Sequence, residues 1–227
     1  MRQLAENIWI VDGAPVQFLG FPYSTRMTVI RLSNGLLWIH SPIKLTDDLK
    51  SFIQQLGEVK YLIAPNHLHH LFLSDWQESF NVELYGTDEV IKKRKDISFD
   101  GSLNEQRAWP WQDDIVQEMF TGSPAMQECV FFHQLSKTLI VTDLVENFSP
   151  HTFSGWRRWV AKYAGILAPH GKMPIDWRLS FMFGKSKARK HFSTIMSWQP
   201  HILVMAHGEV IEQQTEQFLM RSFNWLN

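Results

Sequence analysis

Asn66-His67-Leu68-His69-His70 is the stretch on which the reading of this chain turns. It follows the apolar run Tyr61-Leu62-Ile63-Ala64-Pro65 and precedes residues 71–80, which read as a helix. Three imidazoles within four residues, at the end of a buried strand, supply neutral nitrogen donors that loop backbone can aim at one point. The stretch predicts a metal site at a strand end, with His67, His69 and His70 as candidate ligands.

On the N-terminal side the chain reads as all-β. Residues 8–11, 27–32 and 36–40 are short β-branched or aromatic segments separated by Gly-Ala-Pro, by Gly-Phe-Pro and by Asn34-Gly35, the last a hairpin signal. A helix opened by Thr46-Asp47-Asp48 follows, with Leu49, Phe52, Ile53 and Leu56 at helical spacing before Gly57. Strands are expected at 61–64 and 82–85. Residues 96–114 lack sustained periodicity and read as a surface excursion. Strands return at 115–120, 128–133 and 138–142, helices at 154–164, 186–197 and 211–224, and a strand at 201–206. Strands followed by helices, twice over, suggest two β-rich halves with helices on their outer faces.

Two more strand ends carry chemistry. In Lys137-Thr138-Leu139-Ile140-Val141-Thr142-Asp143 an apolar strand ends in a carboxylate, and in His201-Ile202-Leu203-Val204-Met205-Ala206-His207-Gly208 another ends in His-Gly. Asp143 reads either as a turn former or as a ligand, and His207 either as a hydrogen-bonded turn residue or as a ligand. Gly208 permits a tight loop around the imidazole.

Composition narrows the function classes. The chain has 227 residues, 44% of them hydrophobic, enough to bury a core as a single domain over 1–227. Lys and Arg number 22 against 23 Asp and Glu, which gives no overall electrostatic footprint for nucleic acid. Local basic runs, Lys92-Lys93-Arg94-Lys95 and the lysines between Lys185 and Lys190, read as solvated faces. The lone Cys129 reads as a small core residue in a reducing compartment. No secretory signal pattern opens the sequence, and no run reaches the roughly 18 apolar residues of a membrane span. A cytoplasmic protein without membrane or nucleic-acid partners is expected.

A β-rich start, a strand with a His-rich loop, a strand ending in Asp and a strand ending in His-Gly together resemble the metallo-β-lactamase fold superfamily, over about residues 4–210. Ser41-Pro42-Ile43, Ala64-Pro65-Asn66, His69-His70-Leu71-Phe72 through Trp76, Asp176-Trp177-Arg178 and Ala206-His207-Gly208 resemble a branch of it known as a domain of unknown function. The resemblance implies an α/β fold, a four-layer αββα sandwich with one or two metal ions at one sheet edge. It implies Asp143 in place of the bridging, catalytic aspartate and His207 in place of the last histidine.

The chain departs from the superfamily's His-x-His-x-Asp-His motif in either register. If His67 and His69 take the first two positions, Leu71 and Phe72 stand where the Asp and final His belong. If the strand ends are aligned, Asn66 and Leu68 replace those histidines, His70 replaces the Asp and Leu71 the last His. The middle histidine is missing near Gly122-Ser123-Pro124.

Two loop histidines with Asp143 and His207 suit zinc, as one or two ions, with iron or manganese as alternatives. The implied activity is a metal-dependent hydrolase that cuts a small-molecule ester, amide or phosphoester with metal-bound hydroxide. His40, Glu128 or His133 could support the ligands or carry an acid/base role. The alternative is an inert binding module of the same fold that has lost its metal. A redox role would need more carboxylate ligands and an attached flavin domain. Trp109-Pro110-Trp111, Trp156, Trp159 and Trp177 either line an apolar pocket, with Arg178 meeting a substrate anion, or serve as core and subunit surface.

Overall fold

The computed structural model describes residues 1–227 and divides into two compact units. The first comprises Met1–Val16 and Ser24–Asp114, the second Gln17–Tyr23 and Ile115–Asn227.

The first unit carries a seven-stranded sheet in sequence order: β1 (Arg2–Ala5), β2 (Ile8–Phe18), β3 (Phe21–Arg31), β4 (Leu37–His40), β5 (Val59–Ala64), β6 (Glu83–Gly86) and β7 (Gly101–Ser102). β1 pairs antiparallel with β2, and β3 with β4; β4 to β7 pair parallel. β2 runs through Gly13-Ala14-Pro15, where the sequence suggested a break. The chain turns instead at Leu19-Gly20, both in the left-handed region. The residues from Gln17 to Tyr23 at this tip group with the second unit.

Parallel pairing requires crossovers, and helices supply them. The first, α1 (Asp47–Leu56), starts where Thr46 Oγ1 accepts from the Leu49 N–H at 3.3 Å. Past it Gly57 lies in the left-handed region, where a Cβ would come within 2.8 Å of the Gly35 carbonyl. Next comes α2 (Leu73–Ser79), which buries Leu73 and Trp76 and ties Trp76 Nε1 to the Ile43 carbonyl at 2.8 Å. It begins two residues later than expected because Asn66 holds the preceding residues in a turn. The third crossover carries α3 (Asp88–Lys93), which is not expected from the sequence, where only its Lys92-Lys93 end reads as part of a basic patch.

Residues 96–114 are not the surface excursion expected. They include β7 and bury Leu103 and Trp111. Trp111 stacks on Trp109 and meets Trp38, Tyr61 and Tyr85 edge-on. Aromatic packing, which has no local period, orders the segment.

The second unit carries a four-stranded sheet in the order β11-β10-β9-β8, from β8 (Ile115–Phe120), β9 (Glu128–His133), β10 (Thr138–Ile140) and β11 (Ile202–Val204). β8, β9 and β10 run antiparallel; β10 and β11 run parallel. All six residues of β9 are buried, as in a strand covered on both faces. Helices α4 (Gly155–Ala164), α5 (Ile175–Ser180), α6 (Lys185–Ser197) and α7 (Thr215–Ser222) complete the unit with a final 3-10 turn. Its core gathers Phe120, Val130, Leu139, Phe181, Ile195 and Leu203. No helix is long and apolar enough to cross a membrane.

Candidate metal centre

Strand register brings Asp143 and His207 together. Ile140 pairs with Val204 in the parallel ladder, and the same register carried three residues further sets Asp143 beside His207. Their side chains meet, Nε2 to Oδ1 at 3.2 Å, and both are buried. Ile140 also pairs with Phe131 in the antiparallel ladder, so Asp143 falls opposite Glu128. The buried Glu128 carboxylate accepts from the backbone N–H groups of Thr142 at 2.6 Å, Asp143 at 2.8 Å and Leu144 at 3.2 Å. It caps the turn that carries Asp143.

Asn147, also buried, fixes the other side. Its N–H donates to the His207 carbonyl at 3.0 Å, its Nδ2 donates to the Glu209 carbonyl at 3.1 Å, and its Oδ1 accepts from the Gly171 N–H at 3.2 Å. Gly208 sits at φ +104, and a Cβ there would stand 2.2 Å from Asn147 backbone. The His207 ring is held edge-on by Tyr23 and face-on by Phe148.

A third carboxyl, Glu146, accepts from the Tyr23 hydroxyl at 3.4 Å. Burial and the Asp143 charge push Glu146 well above the usual carboxylate range, and the same two causes raise Glu128. Burial, then Glu146, raise Tyr23. Three buried carboxyls around one histidine cannot all ionise without a counter-charge. Protonation or a cation must balance them.

In the first unit the His-rich loop is turned by buried Asn66, whose Oδ1 accepts from the N–H groups of Leu68 at 2.9 Å and His69 at 3.2 Å. His69 Nδ1 hydrogen-bonds Ser41 Oγ at 2.9 Å. Ser41 follows β4 at φ +53, a conformation costly for a residue with a Cβ, and its N–H donates to the Ile63 carbonyl at 3.0 Å. His40, just before it, is buried and stacks on Trp38; burial and the neighbouring His69 push its pKa well down.

The other loop histidines have different company. His67 Nδ1 meets Glu89 Oε2 at 3.1 Å, and Lys93 donates to the His67 carbonyl. The His70 carbonyl accepts from Arg94 Nη1 at 2.6 Å; burial and the Lys93 and Arg94 cations lower the His70 pKa to about 4. Arg94, expected on a solvated face, thus ties the loop to Ser74 and Asp96. In the second unit Arg178 donates from Nη2 to the Ala164 carbonyl at 3.0 Å, and burial lowers its pKa against the pull of Asp176. His133 bonds Ser136 at 2.7 Å.

Sequence reading missed Asn147, Glu146 and Tyr23. In the sequence Glu128 is legible only as a possible support for the ligands. The register that joins 128, 143 and 207 follows from the ladder pairs of β9, β10 and β11.

The sequence profile described as Domain of unknown function (DUF4336) matches residues 5–154. No curated protein sequence matches the chain. Among solved structures, a metallo-β-lactamase from Hirschia baltica superposes with a TM-score of 0.66 at 12% identity, covering 99% of this chain and 96% of that one. A metallo-β-lactamase from Pontibacter korlensis gives 0.63 at 11%, with 99% and 97% covered. The DIM-1 metallo-β-lactamase exposed to ceftazidime gives 0.61 at 16%, with 99% and 94% covered. The α/β fold expected, the sandwich of the metallo-β-lactamase kind, is the fold of this chain.

Proposed function

The chain belongs to the family described as Domain of unknown function (DUF4336), and within it we propose a metal-dependent hydrolase of small molecules, acting on an ester, amide or phosphoester. The observation that carries the reading is the buried Asp143–His207 pair at 3.2 Å, close to the buried carboxyls of Glu146 and Glu128.

Asp143 and His207, a buried pair within the second unit, are the proposed ligands, and the superfamily resemblance implies a loop histidine, here His69, as a further one. Two imidazoles and one carboxylate suit zinc, iron or manganese while open positions remain. Ser41, hydrogen-bonded to Nδ1, would orient the His69 ring as a ligand. His67, engaged by Glu89, and His70, set beside two cations, are weaker choices. A divalent ion supplies a lowered pKa for nearby water and a positive charge against the substrate oxygen.

The chain's own residues do the rest. Asp143 contributes the one negative ligand, and Glu128 holds its backbone in place. Asn147 and Gly208 set the His207 loop. Glu146, whose pKa burial and the Asp143 charge raise, is oriented by the Tyr23 hydroxyl. A cytoplasmic location and a small-molecule substrate go with this reading. Arg178 is the proposed contact for an anionic group on that substrate.

Metal analysis of protein purified without chelators tests it. About one equivalent per chain, lost in both His69→Ala and His207→Ala along with turnover of small esters or phosphodiesters, is the expected result. Less than about a tenth of an equivalent, not restored by added zinc, would favour the inert binding module instead.

A further inference from the structure

Helix α4 exposes its large side chains. Of Gly155–Ala164 only Ala161 is buried, while Trp159 is 74% exposed, Tyr163 81%, and Trp156 and Val160 are also exposed. Residues on α5 and just beyond it continue the pattern, with Leu179, Met182 and Phe183 exposed, the last at 97%. Arg178 joins α5 to the end of α4 through the Ala164 carbonyl. Trp156 meets Phe21 edge-on near the hairpin tip, where Leu19 is exposed. Monomer surfaces seldom leave this much aromatic and aliphatic area together unless something covers it.

Charge indicates what covers it. Residues 151–190 hold nine Lys and Arg against the single acidic residue Asp176, in a chain whose net charge is −1. Arg157 lies over the Trp156 ring and Lys162 over the Trp159 ring. Beside them is a cleft of about 670 Å³ lined by Arg158, Trp159, Lys162, His170 and Lys172. Burial, then the Arg178 charge, lower the Lys172 pKa.

We propose that α4 and this cleft dock the protein on a membrane surface rich in anionic phospholipid, the indole and phenol rings lying among the headgroups and the cleft receiving a lipid phosphate. Trp and Tyr partition to the headgroup layer, and Lys and Arg add attraction to anionic lipid. This is docking on a surface, distinct from the membrane span that the sequence lacks. A second copy of the chain would bring the same cations against themselves. A nucleic acid would meet the cations and rings but offers nothing to Val160, Leu179, Met182 and Leu19. The inference stands apart from the metal centre.

Vesicle flotation of the full chain tests it. With about three parts neutral to one part anionic phospholipid, at least about tenfold more protein should float than with neutral vesicles, and raised salt should reduce the difference. Trp159→Ser/Tyr163→Ser and Arg158→Glu/Lys162→Glu should each abolish it while keeping the parent melting temperature. Equal flotation on both vesicle types, or none, overturns the proposal. So does a concentration-dependent dimer that the Trp159 variant dissolves, or a shift of single-stranded DNA without vesicle binding. If a variant fails to fold, the lipid and salt dependence of the parent chain decides.

Discussion

Ser41 shows how much one residue can carry. Its hydroxyl orients His69 while its backbone sits at φ +53, a conformation that costs a non-glycine residue about 1 kcal/mol. Ser41→Gly should stay within about 1 kcal/mol of the parent in stability, because relief of that strain offsets the added freedom of the unfolded chain. Both Ser41→Gly and Ser41→Ala should weaken zinc binding about tenfold or more, read by calorimetric titration beside urea unfolding. His70 gives a pH prediction. Its folded pKa of about 4 lies below the ordinary histidine value of about 6.5, so between those values the unfolded chain binds a proton that the folded chain refuses. Stability must therefore fall as pH drops through that window. Metal-free protein should melt at a lower temperature at about pH 5 than at about pH 7, and His70→Gln should flatten the slope; an unchanged slope would remove His70 as the cause.

At the scale of elements, the site depends on how two loops leave their strands. Thr46 and Gly57 were legible as the ends of α1 because capping chemistry is local. The loop after β11 is set instead by Asn147, sixty residues earlier in the chain. Gly208→Ala would place a Cβ 2.2 Å from the Asn147 carbonyl at φ +104. The expected loss is about 3 kcal/mol or more, with metal content falling because His207 is displaced. Denaturant unfolding and metal analysis on the same preparation would check both, and a neutral substitution would mean that the loop can relax. α5 escaped the sequence reading for a related reason: six residues with no side-chain cap and none buried leave little amphipathic signal.

For the molecule as a whole, each unit has its own core, and in the second unit Cys129 lies wholly buried in central β9. Burial, then Glu128 and Glu118, push its thiol well above the usual range, so it should resist disulfide exchange reagents at neutral pH until the unit opens. Labelling in the absence of denaturant should be slow and should accelerate across the urea transition; rapid labelling of the folded chain would contradict the packing described. Charge is distributed as unevenly as burial. The near balance over 227 residues conceals the basic stretch 151–190, from which Arg158, Lys162 and Lys172 line one cleft beside α4. The sequence by itself determined most of the strands and the longer helices, the α1 cap, the buried ends of the strands and the fold resemblance, because periodicity and capping act between near neighbours. Only the tertiary structure decided that Glu128, Asp143 and His207 converge, that Asn147 braces them and that Ser41 holds His69. Those contacts arise from ladder register and from burial, which depend on residues far apart in the chain.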